Sequence, residues 1–342
     1  MRTLGYQRLA SGASWTLAAS IAAALSQWLL LMVTAKLGSP EMVGQLALSF
    51  AIVAPIQALT DLALRPALAT DARRNYHFRD YLELRAKMIT LGVAAMGIAA
   101  WWRGGAAASI IVAVGLQKAV ESASDLFFGL FQREERLEWM GHSVVMRSAL
   151  ASAAFVGVML AYGDLLCACL AGLLIRAGIF FFHDLPRGSE LADVSPRAPS
   201  ESRIAGLLKT SLPLASGVFI MAFAVNVPRY VVEKRMGVAA LGVFAALVYV
   251  FQAGAMLIDA VSQAACARLA QYCARGETGA FRALLSRLTV VAFGVAGIGI
   301  AVASFGGSQL LRIAYSSAFA GATKPFLWLS VCAVPWYCST VF

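Results

Sequence analysis

AKLGSPEMVGQLALSFAIVAPIQALTDLALRP, residues 35–66, is the stretch on which the fold turns. Lys36 and the glycines Gly38 and Gly44 separate two apolar runs, and the second run carries Asp61 near its far end. A helix of roughly 20 apolar residues spans a hydrocarbon layer, and a short turn of Gly, Ser and Pro lets the chain come back. The pattern returns at residues 233–268. Arg235, Gly237 and Gly242 repeat the turn, and Asp259 follows Gly242 at the distance at which Asp61 follows Gly44. Such an echo points to a duplicated unit.

Outside this stretch the chain has the same character. Its 342 residues are 60% hydrophobic and only 13% charged, and the mean hydropathy is +0.74. That is too apolar and too sparsely charged for a soluble domain, so the class is an all-α integral membrane protein. The formal charge of +10 would suggest nucleic acid in a soluble protein; here it asks which side of the bilayer holds the Lys and Arg, and nucleic acid is excluded as a partner. Cys167 and Cys169 project about 200° apart on a helix, and Cys266, Cys273, Cys332 and Cys338 lack metal-ligand spacing, so free thiols are expected.

Apolar runs place about ten transmembrane helices, at residues 12–35, 42–64, 88–102, 107–131, 143–162, 165–182, 207–232, 239–265, 288–305 and 326–342. The first is too long for a signal-peptide core and reads as an uncleaved helix. The polar segment at 184–203 cannot lie in hydrocarbon, so it serves as a linker between a six-helix lobe (1–183) and a second lobe (204–342). The last run ends inside an apolar segment, so the second lobe reads as incomplete, cut after about four helices. Arg and Lys crowd alternate loops, with Arg2, Arg8, Arg74, Arg133, Arg136, Arg187 and Arg203 on one side. The opposite loops are short and poor in basic residues, which puts the N-terminus and the linker in the cytoplasm.

Ionisable residues inside spans are the functional clues, because a charge at the bilayer centre costs about 2.5–3.5 kcal/mol on insertion scales. Lys118, Glu121 and Asp125 share one helix face, with Ser122 beside them. Lys118 and Glu121 can neutralise each other, which leaves Asp125 over for a coupling cation or for helix pairing. Arg176 and Arg229 stand in apolar surroundings, with Arg147 near a helix end. Guanidinium forks grip phosphate in a bidentate manner, and snorkelling to the interface competes with that role for Arg147 and Arg229. Asp61 has Arg65 four residues on, an expected i, i+4 ion pair, whereas Asp259 has only Gln263 near it. Pro55, Pro213, Pro228 and Pro335 can kink their helices. Residues 67–88, with Arg73, Arg74, Arg79, Arg85 and Lys87 among Tyr76, Phe78, Tyr81 and Leu84, are expected as an amphipathic helix on the inner leaflet. No metal, nucleotide or catalytic signature occurs, and no enzyme activity is expected.

The turn from Lys36 to Gly44, the basic loop after the second helix, the six-helix block, the turn from Arg235 to Gly242 and the approach from Leu310 to Phe319 together resemble the Wzx-type oligosaccharide flippases. These belong to the multidrug/oligosaccharidyl-lipid/polysaccharide exporter superfamily. The resemblance implies a bacterial inner-membrane protein that moves a polyprenyl-diphosphate-linked oligosaccharide by alternating access between two lobes, for O-antigen, capsule or exopolysaccharide synthesis. On that reading Arg176, Arg229, Arg147 and Lys118 line an electropositive substrate cavity. Glu121, Asp125, Asp259 and Asp61 are candidates for ion coupling or helix pairing. No cofactor is implied beyond a coupling proton or sodium ion; the partners are lipid-linked oligosaccharide, inner-membrane lipids and a polysaccharide polymerase. A cation-coupled multidrug exporter of the same superfamily and a membrane-embedded polymerase or ligase are the alternatives. An Arg-rich interior argues against the first, and short outside loops against the second.

Overall fold

The computed structural model describes residues 2–71, 74–192 and 200–340, with side chains from residue 14 onward except at 253, 257, 260, 264 and 267. All regular structure among them is helical: α1 (Arg2–Leu37), α2 (Pro40–Thr60), α3 (Leu64–Thr70), α4 (Phe78–Arg103), α5 (Gly105–Arg133), α6 (Leu137–Tyr162) and α7 (Leu165–Ile179). A π-helical turn, Phe180–Asp184, leads into α8 (Leu185–Leu191), followed by α9 (Glu201–Met236), α10 (Val238–Ala274), α11 (Thr278–Ala314) and α12 (Thr323–Ser339). Nine helical segments among the described residues are long and apolar enough to cross a membrane. With 17 residues, α12 adds an apolar helix of about 25 Å. The protein is an all-α, multi-pass integral membrane protein. Its six cysteines are free.

The expected second helix, residues 42–64, is broken. α2 stops at Thr60, and Leu62 and Ala63 adopt left-handed backbone (φ 50° and 47°) before α3 begins. Non-glycine residues rarely hold that conformation, and do so only where their surroundings compel it. Here Leu62, Leu64 and Leu68 are all fully buried. The break redirects the chain just where Asp61 and Arg65 were expected to stack.

Contacts divide the chain into two compact units, Met1–Leu37 with Gln45–Gly237, and Gly38–Gly44 with Val238–Phe342. In the first unit α1 packs on α6, α6 on α7, and α5 on α3, α4 and α7. α9, which the sequence reading places in the second lobe, packs here as well: Arg203 donates to Asp80 at 3.0 Å, and Tyr230 donates to the Ala51 carbonyl. Of the linker at 184–203, Leu185–Leu191 is helical and residues 193–199 lie outside the described residues.

The amphipathic surface helix expected at 67–88 is not what forms. Phe78, Tyr81 and Leu84 are core residues, packed with Leu64, Leu68 and Phe127, and Arg85 is only 1% exposed. An apolar face has the same period whether it meets lipid or other helices, so periodicity could not separate the two. Asp80, fully buried, accepts from the His77 backbone N–H at 3.1 Å and from Arg203. It thereby caps α4 and ties α9 to it.

In the second unit α10, α11 and α12 pack on one another. Tyr315 and Tyr337 each donate to a carbonyl of α10, those of Ala246 and Phe251, at 2.8 Å. A buried phenol needs such an acceptor, and helix carbonyls are the only ones a largely apolar interior offers. The first turn of α2 belongs to this unit and crosses α10 at two glycines. A Cβ on Gly44 would lie 2.8 Å from the Val238 carbonyl carbon, and one on Gly242 would lie 2.9 Å from that of Pro40. Val238 precedes Gly242, and Pro40 precedes Gly44, by one helical turn. The contact is therefore reciprocal.

Candidate functional site

α5 brings Lys118, Glu121, Ser122 and Asp125 to one side, as the sequence spacing requires, and the first unit supplies partners around it. Lys118 Nζ meets Glu121 Oε2 at 2.7 Å, and Arg176 Nε of α7 meets Glu121 Oε1 at 2.8 Å. Both oxygens of Glu121 are therefore occupied. Arg176 also donates to the Gly172 carbonyl of its own helix at 3.1 Å, and Gln117 of α5 donates to the Cys169 carbonyl at 2.5 Å, fixing α5 against α7. Glu121 lies in the field of three cations, Lys118, Arg147 and Arg176.

The carboxylates nearer the α2–α3 break are paired differently from expectation. Asp61 does not pair with Arg65. Its partners are Arg85 Nη1 at 2.6 Å and the hydroxyl of Ser122. Arg65 instead binds Asp125 Oδ1 at 2.9 Å and Gln132 at 3.1 Å, so Asp125 is not left over. The left-handed residues at 62 and 63 cause the exchange, since an i, i+4 pair needs a continuous helix between its members.

Arg147 of α6 forms no ion pair with the carboxylates of this network. Its guanidinium stacks on the Phe128 ring, 5.5 Å from the centroid, and its Nη1 is buried without a hydrogen-bond partner. Arg65 stacks on the same ring at 5.8 Å. Arg147 does not snorkel to an interface but lines two adjoining cavities. One, of about 350 Å³, is bordered by Thr16, Ser20, Asp61, Arg65, Asp125 and Arg147. The other, of about 150 Å³, is bordered by Gln27, Lys118, Glu121, Arg147, Ser148 and Arg176. α1 supplies the small wall: Thr16, Ala19, Ser20 and Ala23 fall on one face, and their short side chains leave the space open.

The network thus holds five basic side chains, Arg65, Arg85, Lys118, Arg147 and Arg176, against three acidic ones, Asp61, Glu121 and Asp125, a surplus of two positive charges. Such a group in an apolar bundle can hold water and an anion.

Two candidates stand apart. Arg229 of α9 donates to Asn226 at 2.8 Å and lines neither cavity. Asp259, on α10 of the second unit, is exposed. The sequence reading pairs Arg65 with Asp61, places Arg85 on a surface helix and takes α1 as a plain apolar span. The signal for α1 was present in the period of Thr16, Ser20, Gln27 and their alanines. For Arg85 it was the helical spacing of Phe78, Tyr81 and Leu84, which puts a charge beside a buried face.

No family model matches the chain. The chain is 23% identical over 304 residues to the capsular polysaccharide biosynthesis protein CapF of Staphylococcus aureus, a match spanning 88% of this chain and 76% of that protein. Among solved structures, an inward-facing multidrug resistance MATE family transporter of the MOP superfamily superposes with a TM-score of 0.64 at 14% identity, over 93% of this chain and 82% of that one. An outward-facing structure from the same family superposes with 0.54 at 15% identity, over 96% and 81%. The fold is like that of these MATE transporters.

Proposed function

We propose that the protein moves a polyprenyl-diphosphate-linked oligosaccharide from the inner to the outer face of a bacterial inner membrane by alternating access, for surface polysaccharide synthesis. The observation that carries this reading is the excess of cations around the cavities of the first unit, where Arg65, Lys118, Arg147 and Arg176 stand with Asp61, Glu121 and Asp125. A carrier of cationic drugs needs acidic groups free to meet its cargo. Here every carboxylate of the network is held by a guanidinium or an ammonium, and the group left over is a cation. The likeness to CapF, a capsular polysaccharide biosynthesis protein, points to the same class of cargo.

The test is transport by the purified full chain in proteoliposomes, comparing a fluorescent polyprenyl-diphosphate oligosaccharide with a cationic drug such as ethidium. The oligosaccharide is expected to cross and ethidium to stay put. Ethidium transport without oligosaccharide flipping would convert the reading to a drug exporter.

A further inference from the structure

We propose that the hairpin joining α10 to α11 is a docking site for an acidic protein segment on the arginine-rich side of the membrane. The length of its arms is the first observation. α10 (Val238–Ala274) and α11 (Thr278–Ala314) each have 37 residues, about 55 Å at 1.5 Å per residue. A bilayer measures about 30 Å across its hydrocarbon and about 40–45 Å with its headgroups. Both helices have their far ends at turns on the side poor in basic residues, beside Gly237 and Tyr315, so the excess length falls at the hairpin. At the usual tilt of about 20° each helix still reaches about 52 Å, which carries the tip roughly 10 Å past the headgroups. The reversal is a fixed turn: Gly276 takes φ 69°, and the Glu277 backbone N–H donates to the Tyr272 carbonyl at 3.0 Å.

The tip carries an apolar groove and charge of one sign. About 340 Å³ of space opens between Tyr272 and Cys273 of α10 and Phe281, Arg282 and Leu285 of α11, about ten times the roughly 30 Å³ of a water molecule in the liquid. That is room for an apolar side chain of a partner. Four arginines, Arg268, Arg275, Arg282 and Arg287, stand against one acid, Glu277, between residues 264 and 287. Arg275 meets Glu277 at 4.0 Å, whereas Arg268, Arg282 and Arg287 are exposed and form no ion pair among the described residues. In water such a pattern suits an acidic chain: the arginines steer it in, and an apolar anchor seated in the groove holds it. Anionic headgroups match the charge, yet a groove set beyond their layer is out of reach of an acyl chain. The occupant that fits both features is a segment of a soluble protein, rich in Asp and Glu around a Leu or Phe.

Cys273, a free and exposed thiol bordering the groove, reports its occupancy, and Cys167, exposed on α7 of the first unit, is the internal control. The purified full chain in nanodiscs is treated with a water-soluble maleimide, and the labelling rate at each cysteine is read by mass spectrometry. The probes are short peptides of Glu with Leu or Phe at i, i+4, and counterparts with Lys in place of Glu. The acidic peptides are expected to slow labelling of Cys273 about tenfold and to leave Cys167 unchanged, and about 1 M salt, where the Debye length is about 3 Å, should weaken the protection. Affinity should survive Arg282→Lys, fall about tenfold in Arg282→Glu and fall about fivefold in Leu285→Ala, with the melting temperature unchanged in Arg282→Glu. Equal protection by the Lys peptides, no protection by any acidic peptide, or affinity unmoved by both Arg282→Glu and Leu285→Ala overturns the site. Shielding of Cys273 in nanodiscs rich in phosphatidylglycerol, but not in those of phosphatidylcholine, overturns it in favour of a lipid surface. Transport does not enter the readout, so failure of the site and failure of the flippase reading are separate results.

Discussion

Asp61 and Asp259 stand at the same distance beyond Gly44 and Gly242, yet their surroundings have nothing in common. Asp61 sits at a helix break and accepts from Arg85 and Ser122 inside a charged network. Asp259 lies mid-helix on α10 and is exposed. The two glycines, by contrast, meet each other reciprocally, each against backbone of the other turn. In this protein the echo in sequence is an echo of backbone crossing. Side-chain chemistry is not shared: the first unit borders its cavities with seven charged groups, whereas the second satisfies Tyr315 and Tyr337 on helix carbonyls.

The strongest way to break this contrast is to remove one member of the Asp61–Arg85 pair. Asp61→Asn leaves the Arg85 charge buried with only Asp125 Oδ2 at 3.9 Å to answer it, at an expected cost of about 3–5 kcal/mol, and Arg85→Met, which leaves the part-exposed Asp61, should cost less. The double variant Asp61→Asn with Arg85→Met should recover most of that loss, while Asp259→Asn should not lower the melting temperature at all. Denaturant or thermal unfolding in micelles reads all four; a loss at Asp259 as large as at Asp61 would make the two aspartates equivalent after all.

Next in size is the glycine crossing. Gly44→Ala and Gly242→Ala each press a methyl onto backbone that cannot rotate away, an expected cost of about 1–3 kcal/mol. Gly157 on α6 has open space around the place of a Cβ, so Gly157→Ala should instead stabilise by about 0.5–1 kcal/mol through helix propensity. Equal effects at all three sites would remove the close crossing from the account.

The smallest expected effect compares helix caps. Asp164 caps α7 by accepting from the Cys167 backbone N–H at 2.7 Å, whereas Glu277, in the same position before α11, makes no such bond. Asp164→Ala should cost about 0.5–1 kcal/mol and Glu277→Ala less. The backbone bond to Cys167 holds the Asp164 carboxyl below its ordinary range. A group lowered in the folded state stabilises it above the unfolded pKa and stops doing so as pH falls through the folded one. The Asp164→Ala penalty should therefore be complete at neutral pH and fade below about pH 4. A penalty independent of pH would mean that packing, not the cap, is lost.

Much of the architecture could be read from the chain because lipid imposes a simple rule: runs of about 20 apolar residues become helices, and polar turns separate them. The Lys118, Glu121 and Asp125 stripe was equally legible, since spacing along one helix fixes its face. The partners were not. Arg65 was assigned to Asp61 across a helix that breaks at Leu62 and Ala63, and Asp125 was taken as surplus when Arg65 had been freed to meet it. Arg229 is grouped with Arg176 because both stand in apolar runs, yet it meets Asn226 and lines neither cavity. Phe78, Tyr81 and Leu84 were given to the membrane surface, because an apolar stripe does not say which apolar neighbour it meets.

By itself the sequence determined the solvent, the helical class, the turns at Gly44 and Gly242 and which types of charge lie within the spans. Each follows from local composition and from the period of one helix. Only the tertiary structure decided which charges meet, that among the described residues Asp125 has an ion-pair partner whereas Arg147 forms no ion pair, and that the two glycines touch. Those outcomes depend on how separate helices cross and where one of them breaks, and residues far apart along the chain carry no local mark of their distance in space.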